Sequence, residues 1–107
     1  MASRREKIES LLADDPADQF LRYSLALELE KESAHDASLA RLAELTQDAA
    51  PYVPAFFMAA QQLLKLQRVN DARSYLRDGI EEARRQGNAH AAAEMAELLA
   101  QLGAAGE

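Results

Sequence analysis

Phe56-Phe57-Met58-Ala59-Ala60-Gln61-Gln62-Leu63 contains two of the three phenylalanines in a chain of 107 residues. An earlier stretch, Phe20-Leu21-Arg22-Tyr23-Ser24-Leu25-Ala26-Leu27, runs alongside it when the two are set 36 residues apart. Aromatic then meets aromatic, Ser24 meets Ala60, and Leu27 meets Leu63. Further on, Ser38 and Leu42 match Ala72 and Leu76 at a spacing of 34, which assigns two extra residues to the first turn. Self-similarity at such a period is the mark of supersecondary units that stack because none can bury its apolar face alone.

The units are helical. Apolar residues recur at spacings near three and four, β-branched residues are scarce, and Ala, Leu, Glu, Arg and Gln dominate, so the fold class is all-α with about six helices. A first helix is predicted from about Arg4 to Ala13, with Ser3 and Glu6 in capping-box spacing and Ile8, Leu11 and Leu12 as its stripe. Asp14-Asp15-Pro16 closes it. Asp15 is then the expected cap of a second helix with Pro16 in its first turn, and Phe20, Tyr23, Ser24 and Leu27 share its inward face. Lys31 to His35 reads as a turn, and Asp36 as the cap of a third helix carrying Leu39, Leu42 and Leu45. The segment from Ala50 to Pro54 breaks the chain before a fourth helix ending near Gln67. Asn70 is the expected cap of a fifth, with Ala72, Leu76, Ile80 and Ala83 on one side. Gly87 suits a left-handed stop and Asn88 the next cap, and a sixth helix with Met95, Leu98, Leu99 and Leu102 is expected to end at Gly103. Connections this short fold consecutive helices into antiparallel hairpins. Ser24, Ala60, Ala72 and Gly79 are small enough for close helix approach, and Gly79, which costs about 1 kcal/mol relative to Ala in mid-helix, is best explained by that approach.

Composition narrows the function. The chain has the size of one small domain, burying about two-thirds of its unfolded surface, with little room for a separate catalytic domain. Its net charge of −6 repels nucleic-acid phosphates and anionic membranes, so neither is expected as a partner. Cysteine is absent, which removes disulfides and thiolate metal sites. The N-terminal MASRREKIES lacks an apolar signal core, and no stretch approaches the roughly 20 apolar residues of a membrane span. A cytoplasmic location is expected.

No constellation points to chemistry. His90 and Glu94, four apart on one helical face, lack an evident third ligand, so no metal and no cofactor are expected. Asp14 and Asp15 are better explained by the helix junction than by paired acid and base. The serines have no nucleophile surround and no Gly-rich loop can cradle a phosphate, so no catalytic residue is assigned and the protein is not expected to be an enzyme. Charge pairs such as Glu28 with Lys31, or Asp78 and Glu82 near Arg77 and Arg85, read as solvated faces.

A bulky residue, a small one four on, and a large one three further, at a period near 34, resembles the tetratricopeptide repeat. The second unit carries the resemblance best: Phe56, Ala60 and Leu63 on its first helix, and Ala72, Leu76 and Gly79 on its second. Departures are Ala59 in place of a large aliphatic, Arg84 in place of a closing proline, and Lys31 or Gln67 where a turn glycine is common. The resemblance implies one domain over residues 1–107, with units of about 15–49 and 50–87 and a capping helix over 88–103, stacked as a short right-handed superhelix. It also implies a concave groove, lined by the first helix of each unit, that binds peptides or partner proteins. Consecutive helix residues point about 100° apart, so Phe56 and Phe57 serve different contacts. Phe56 is assigned to the core. The groove is assigned to Leu21, Leu25 and Glu28 of the second helix and to Phe57, Gln61, Leu64 and Lys65 of the fourth. Some family members hold a C-terminal carboxylate with a Lys and Asn clamp; Leu21, Leu25, Phe57 and Gln61 stand in those places, which implies an apolar or amphipathic segment as the ligand instead. The expected function is a non-catalytic adaptor or scaffold, with self-assembly through the same face or a repeat edge as the alternative.

The two phenylalanines separate these roles experimentally. Phe56→Ala is expected to cost about 3–5 kcal/mol in urea denaturation, as a buried aromatic truncation, and Phe57→Ala clearly less while weakening partner binding. Equal, large losses would remove the exposed-groove reading.

Overall fold

A computed structural model describes the backbone of residues 2–106 and the side chains of residues 2–103. The described residues form six α-helices and no strand: α1 (Arg4–Asp14), α2 (Gln19–Lys31), α3 (His35–Thr46), α4 (Val53–Lys65), α5 (Val69–Arg85) and α6 (Ala89–Gly106). Each helix packs on its chain neighbours and α4 also touches α6, in a slab of 48 × 30 × 18 Å. Helices α4 and α6 both pack on α5 and touch each other, so they lie on the same side of it.

Turns, more than side-chain caps, set the helix boundaries. At the ends of α2, α4 and α5 the chain passes through a left-handed residue, Ser33 (φ 64°), Gln67 (φ 62°) and Gly87 (φ 76°). In each case the next amide reaches back five residues: Ala34 N to Leu29 O at 2.9 Å, Arg68 N to Leu63 O at 2.9 Å, and Asn88 N to Ala83 O at 2.8 Å. These are Schellman turns, which satisfy orphan carbonyls of the outgoing helix. The residue donating that bond is also the N-cap of the next helix. Asn88 therefore caps α6 as expected, its Oδ1 accepting from Ala91 N at 3.1 Å. The expected caps Asp36 and Asn70 lie too late: Ala34 and Arg68 occupy the cap positions without a side-chain bond, and Asp36 sits in the first turn of α3.

Asp15 does not cap α2 either. Its amide closes α1 onto Leu11 O, and its carbonyl accepts from Asp18 N at 3.2 Å, so Asp15-Pro16-Ala17-Asp18 is a turn with proline in its favoured second place. Asp18 is the cap, accepting from Leu21 N at 2.8 Å. The capping box of α1 is present, with Glu6 N to Ser3 Oγ at 3.1 Å and Ser3 N to Glu6 Oε1 at 3.2 Å. Gly103 does not end α6, which runs to Gly106. A helical glycine weakens a helix without stopping it unless its backbone leaves the helical region.

The repeat is regular where the sequence alignment had placed a slip. Leu25, Ala26, Glu28 and Leu29 are buried on α2, and Ala59, Ala60, Gln62 and Leu63 on α4, each pair 34 positions apart. The turn residues Ser33 and Gln67 keep the same spacing, so the first turn holds no extra residues and Ser33, not Lys31, is the counterpart of Gln67. Aligning Phe20 with Phe56 is therefore wrong by two residues. Two residues rotate a side chain by about 200° around a helix. Phe20 is 64% exposed, whereas Phe56 is 5% exposed. The small residue matching Ala60 is Ala26, not Ser24.

The true counterpart of Phe56 is Arg22, which makes a two-pronged ion pair with Asp48: Nη1 to Oδ2 at 2.6 Å and Nη2 to Oδ1 at 3.1 Å. Gln19 Nε2 adds a third bond to Asp48 Oδ2 at 3.0 Å. Unit one thus ties α2 to the loop after α3 with charge where unit two uses an aromatic ring. Hydrogen bonding from Arg22, then from Gln19, holds the Asp48 carboxyl below its ordinary value of 3.8.

The apolar interior divides along the stack. Ile8, Leu25 and Leu29 pack between α1 and α2. Ala26, Leu42, Leu45, Ala55 and Ala59 join α2, α3 and α4. Phe56, Leu63, Leu76, Ile80 and Met95 lead the cluster of α4, α5 and α6. Gly79 is where these last three meet: a Cβ there would lie 2.6 Å from both Phe56 Cβ and Met95 Sδ. A buried polar link crosses the middle layer, where Ser38 Oγ lies 2.6 Å from Ala26 O and 3.2 Å from Gln62 Oε1.

Ser33→Gly and Gln67→Gly should each raise stability by about 0.5–1 kcal/mol in urea titrations, because glycine adopts positive φ without strain at an exposed site. Asp48 provides a pH test. A depressed carboxyl contributes stability above its unfolded pKa and loses it as pH falls through the lower folded value. The stability gap between the wild type and Asp48→Asn should therefore be full at neutral pH and shrink progressively below about pH 4; a constant gap in parallel denaturation curves would disprove the assignment.

Candidate functional site

The inner sides of α4 and α6 diverge around a crevice of about 250 Å³ lined by Phe57, Gln61, Glu94, Glu97, Leu98 and Gln101. Short turns bring these helices together: α5 runs away from α4 and α6 returns beside it, touching both. Phe57, Leu64 and Leu98 are half-buried, each with one side against the α4–α5–α6 cluster. Gln61 is exposed between them. The crevice offers an apolar floor, two side-chain amides and two carboxylates, a set suited to holding a chain segment and lacking any nucleophile. Clefts of about 370 Å³ and 440 Å³ occur elsewhere, bordered mainly by α5 and carrying mixed charges.

The seven residues assigned to a groove from sequence are not all brought together. On α4, Phe57, Gln61 and Leu64 share a face as geometry requires. Lys65 stands at the end of that face, its ammonium 3.6 Å from Glu30 Oε1 across the α2–α4 boundary. The α2 residues are placed otherwise. Leu25 is 3% exposed and packs with Ile8 and Leu29, so it does not line an open groove. Glu28 is buried beneath Arg4 and Lys31, with ion-pair distances of 3.4 and 3.1 Å. Leu21 turns toward α1. All three inherited the two-residue slip. One true period before Phe57, Gln61 and Leu64 stand Tyr23, Leu27 and Glu30. Tyr23 stacks obliquely on Tyr52 with ring centres 5.4 Å apart, and its burial raises the phenol pKa.

Four residues of the crevice, Glu94, Glu97, Leu98 and Gln101, come from α6, which sequence reasoning treated as a cap. Their signal was present in the i, i+4 spacing of Glu94 with Leu98 and of Glu97 with Gln101, but nothing local showed which side of α6 meets α4. His90 Nε2 lies 3.3 Å from Glu94 Oε1 at the surface, and the described residues hold no group of three His, Asp or Glu side chains arranged for a metal ion. Asp14 and Asp15 are exposed at the α1–α2 turn. No helix among the described residues is long and apolar enough to cross a membrane.

The chain is similar to the solution structure of a tetratricopeptide repeat domain protein from Salinibacter ruber, at 30% identity and a TM-score of 0.76, over 81% of this chain and 88% of that one. The crystal structure of a tetratricopeptide repeat domain protein from the same organism aligns at 29% identity and a TM-score of 0.72, over 81% and 97% of the two chains. The solution structure of a Bordetella parapertussis protein aligns at 25% identity and a TM-score of 0.77, over 96% and 90%. No family model matches the chain, and no curated protein does.

Proposed function

From a chain that belongs to the tetratricopeptide repeat family, we propose a non-catalytic adaptor or scaffold, acting in the cytoplasm, that holds a peptide or partner protein against the inner side of α2, α4 and α6. The observation that carries this reading is the crevice itself: Phe57 and Leu98 present partly exposed apolar surface between polar walls. Partly exposed aromatic and aliphatic side chains in a concave setting gain most from a partner that completes their burial. One domain with two 34-residue units and flanking helices is enough to build that face.

The ligand favoured is an apolar or amphipathic segment. In the corrected register the inner positions of the two units are Tyr23, Leu27, Phe57 and Gln61, which again lack the Lys and Asn of a carboxylate clamp. A helix laid along the crevice would place an apolar stripe on Phe57 and Leu98 while its backbone polar groups stay satisfied within the helix.

Co-purification from the source cell, with wild type and Phe57→Asp/Leu98→Asp compared side by side, tests the reading. Each substitution places a charge on half-exposed surface, so circular dichroism should stay helical while the captured partner drops by about tenfold or more, equivalent to about 1.4 kcal/mol. Equal capture by the variant would place the partner elsewhere. Light scattering provides the control for self-assembly: a mass that stays at 11.8 kDa across concentrations keeps the partner a different molecule.

A further inference from the structure

Among the described residues, two of the three exposed large apolar side chains, Leu11 (54% exposed) and Phe20 (64%), converge on one groove between α1 and α2, away from the α4–α6 crevice. The groove has a volume of about 270 Å³, and its apolar walls are completed by Ile8 and Leu21. Arg4 and Lys7 are its only charged lining residues. Arg4 is already engaged with Glu28 at 3.4 Å, and Lys7 forms no ion pair among the described residues. In a chain with 18 acidic and 12 basic residues, a cleft lined by two cations and no carboxylate is a local reversal of sign.

The regular period shows what shape belongs there. Moved forward by 34 residues, Ile8, Leu11 and Leu21 become Leu42, Leu45 and Ala55. That interior seat is filled: Ala26 and Tyr23 of α2 pack onto it in the middle cluster. The α1–α2 groove is the corresponding seat, with Arg4 where α3 has Ser38, and among the described helices α1 packs substantially only on α2. A small residue with an aromatic three positions before it fits the interior seat, and the same pair suits the groove.

We propose that the α1–α2 groove is a second docking surface, independent of the α4–α6 crevice, for an amphipathic helix of a partner protein that carries an aromatic-x-x-small pair on its apolar side and acidic residues along its flanks. Burial of Leu11 and Phe20 supplies the attraction, and Lys7 with Arg4 selects the sign of the flanking charge.

A labelled designed helix of about 16 residues, long enough to hold helical structure, serves as the probe, with a Tyr-x-x-Ala pair and glutamate flanks, beside a twin with lysine flanks. In low salt, fluorescence anisotropy should show the glutamate peptide binding at least about tenfold more tightly than its twin, a difference that added salt erases. Lys7→Glu should narrow or reverse the preference, and Phe20→Asp should abolish binding of both peptides. Both residues are exposed, so melting curves of the variants should match the wild type. Phe57→Asp should leave peptide binding unchanged, which separates this groove from the inner crevice. Equal binding of the two peptides, binding of neither, or binding indifferent to Phe20→Asp would overturn the proposal. So would self-association in sedimentation velocity that Phe20→Asp removes, since the groove would then belong to a second copy of the chain.

Discussion

Helices α4, α5 and α6 meet at a point where residue 79 has no side chain. The position of a Cβ there, 2.6 Å from both Phe56 Cβ and Met95 Sδ, leaves no room for even a methyl group. Interiors packed at crystal-like density transmit such a constraint: α5 sits close enough to seat Phe56, Met95 seals the same spot from α6, and α6 is thereby held beside α4. The crevice between Phe57 and Leu98 exists because α6 is drawn in at that depth. A glycine chosen for packing costs helix stability locally, and the burial of Phe56 and Met95 offsets it.

The second organising element is the backbone turn. Three Schellman closures, after α2, α4 and α5, return the chain, and in each the donor of the long bond begins the next helix. The N-cap is thus assigned by the geometry of the outgoing helix, and residues with capping side chains are left in the first turn when they fall two positions late, as Asp36 and Asn70 do. Ser33 and Gln67 adopt positive φ without being glycine, so the turn is held by its hydrogen bonds and by burial of the helices it joins, against a local conformational cost.

The two apolar surfaces differ in kind. The α4–α6 crevice is continuous with the core, its Phe57 and Leu98 half-buried on the same cluster that holds Phe56. The α1–α2 groove is an edge of the stack, where Leu11 is exposed although its counterpart one period on, Leu45, is fully buried. The first is bordered by glutamates and the second by cations, so the two faces present opposite charge on an acidic molecule.

Residues whose roles follow from local rules were legible in the sequence itself: the all-helical fold, the Ser3–Glu6 capping box, the Gly87–Asn88 junction, the core position of Phe56, and the packing role of Gly79. Each depends on propensity, on a side chain meeting a backbone group within one turn, or on the 100° step of a helix. The register of α2 was not legible, because Phe20, Leu21, Tyr23, Leu25, Ala26, Leu27 and Leu29 spread apolar surface around most of that helix and periodicity alone does not select the buried side. Tertiary structure selected it by placing Arg22 on Asp48, a contact between segments distant in the chain, and the local left-handed turn at Ser33 keeps the same register. The same selection buried Leu25, turned Phe20 outward, and made α6 one wall of the crevice. Local chemistry chose the helices; which of their faces meet was decided by long-range burial and turn closure.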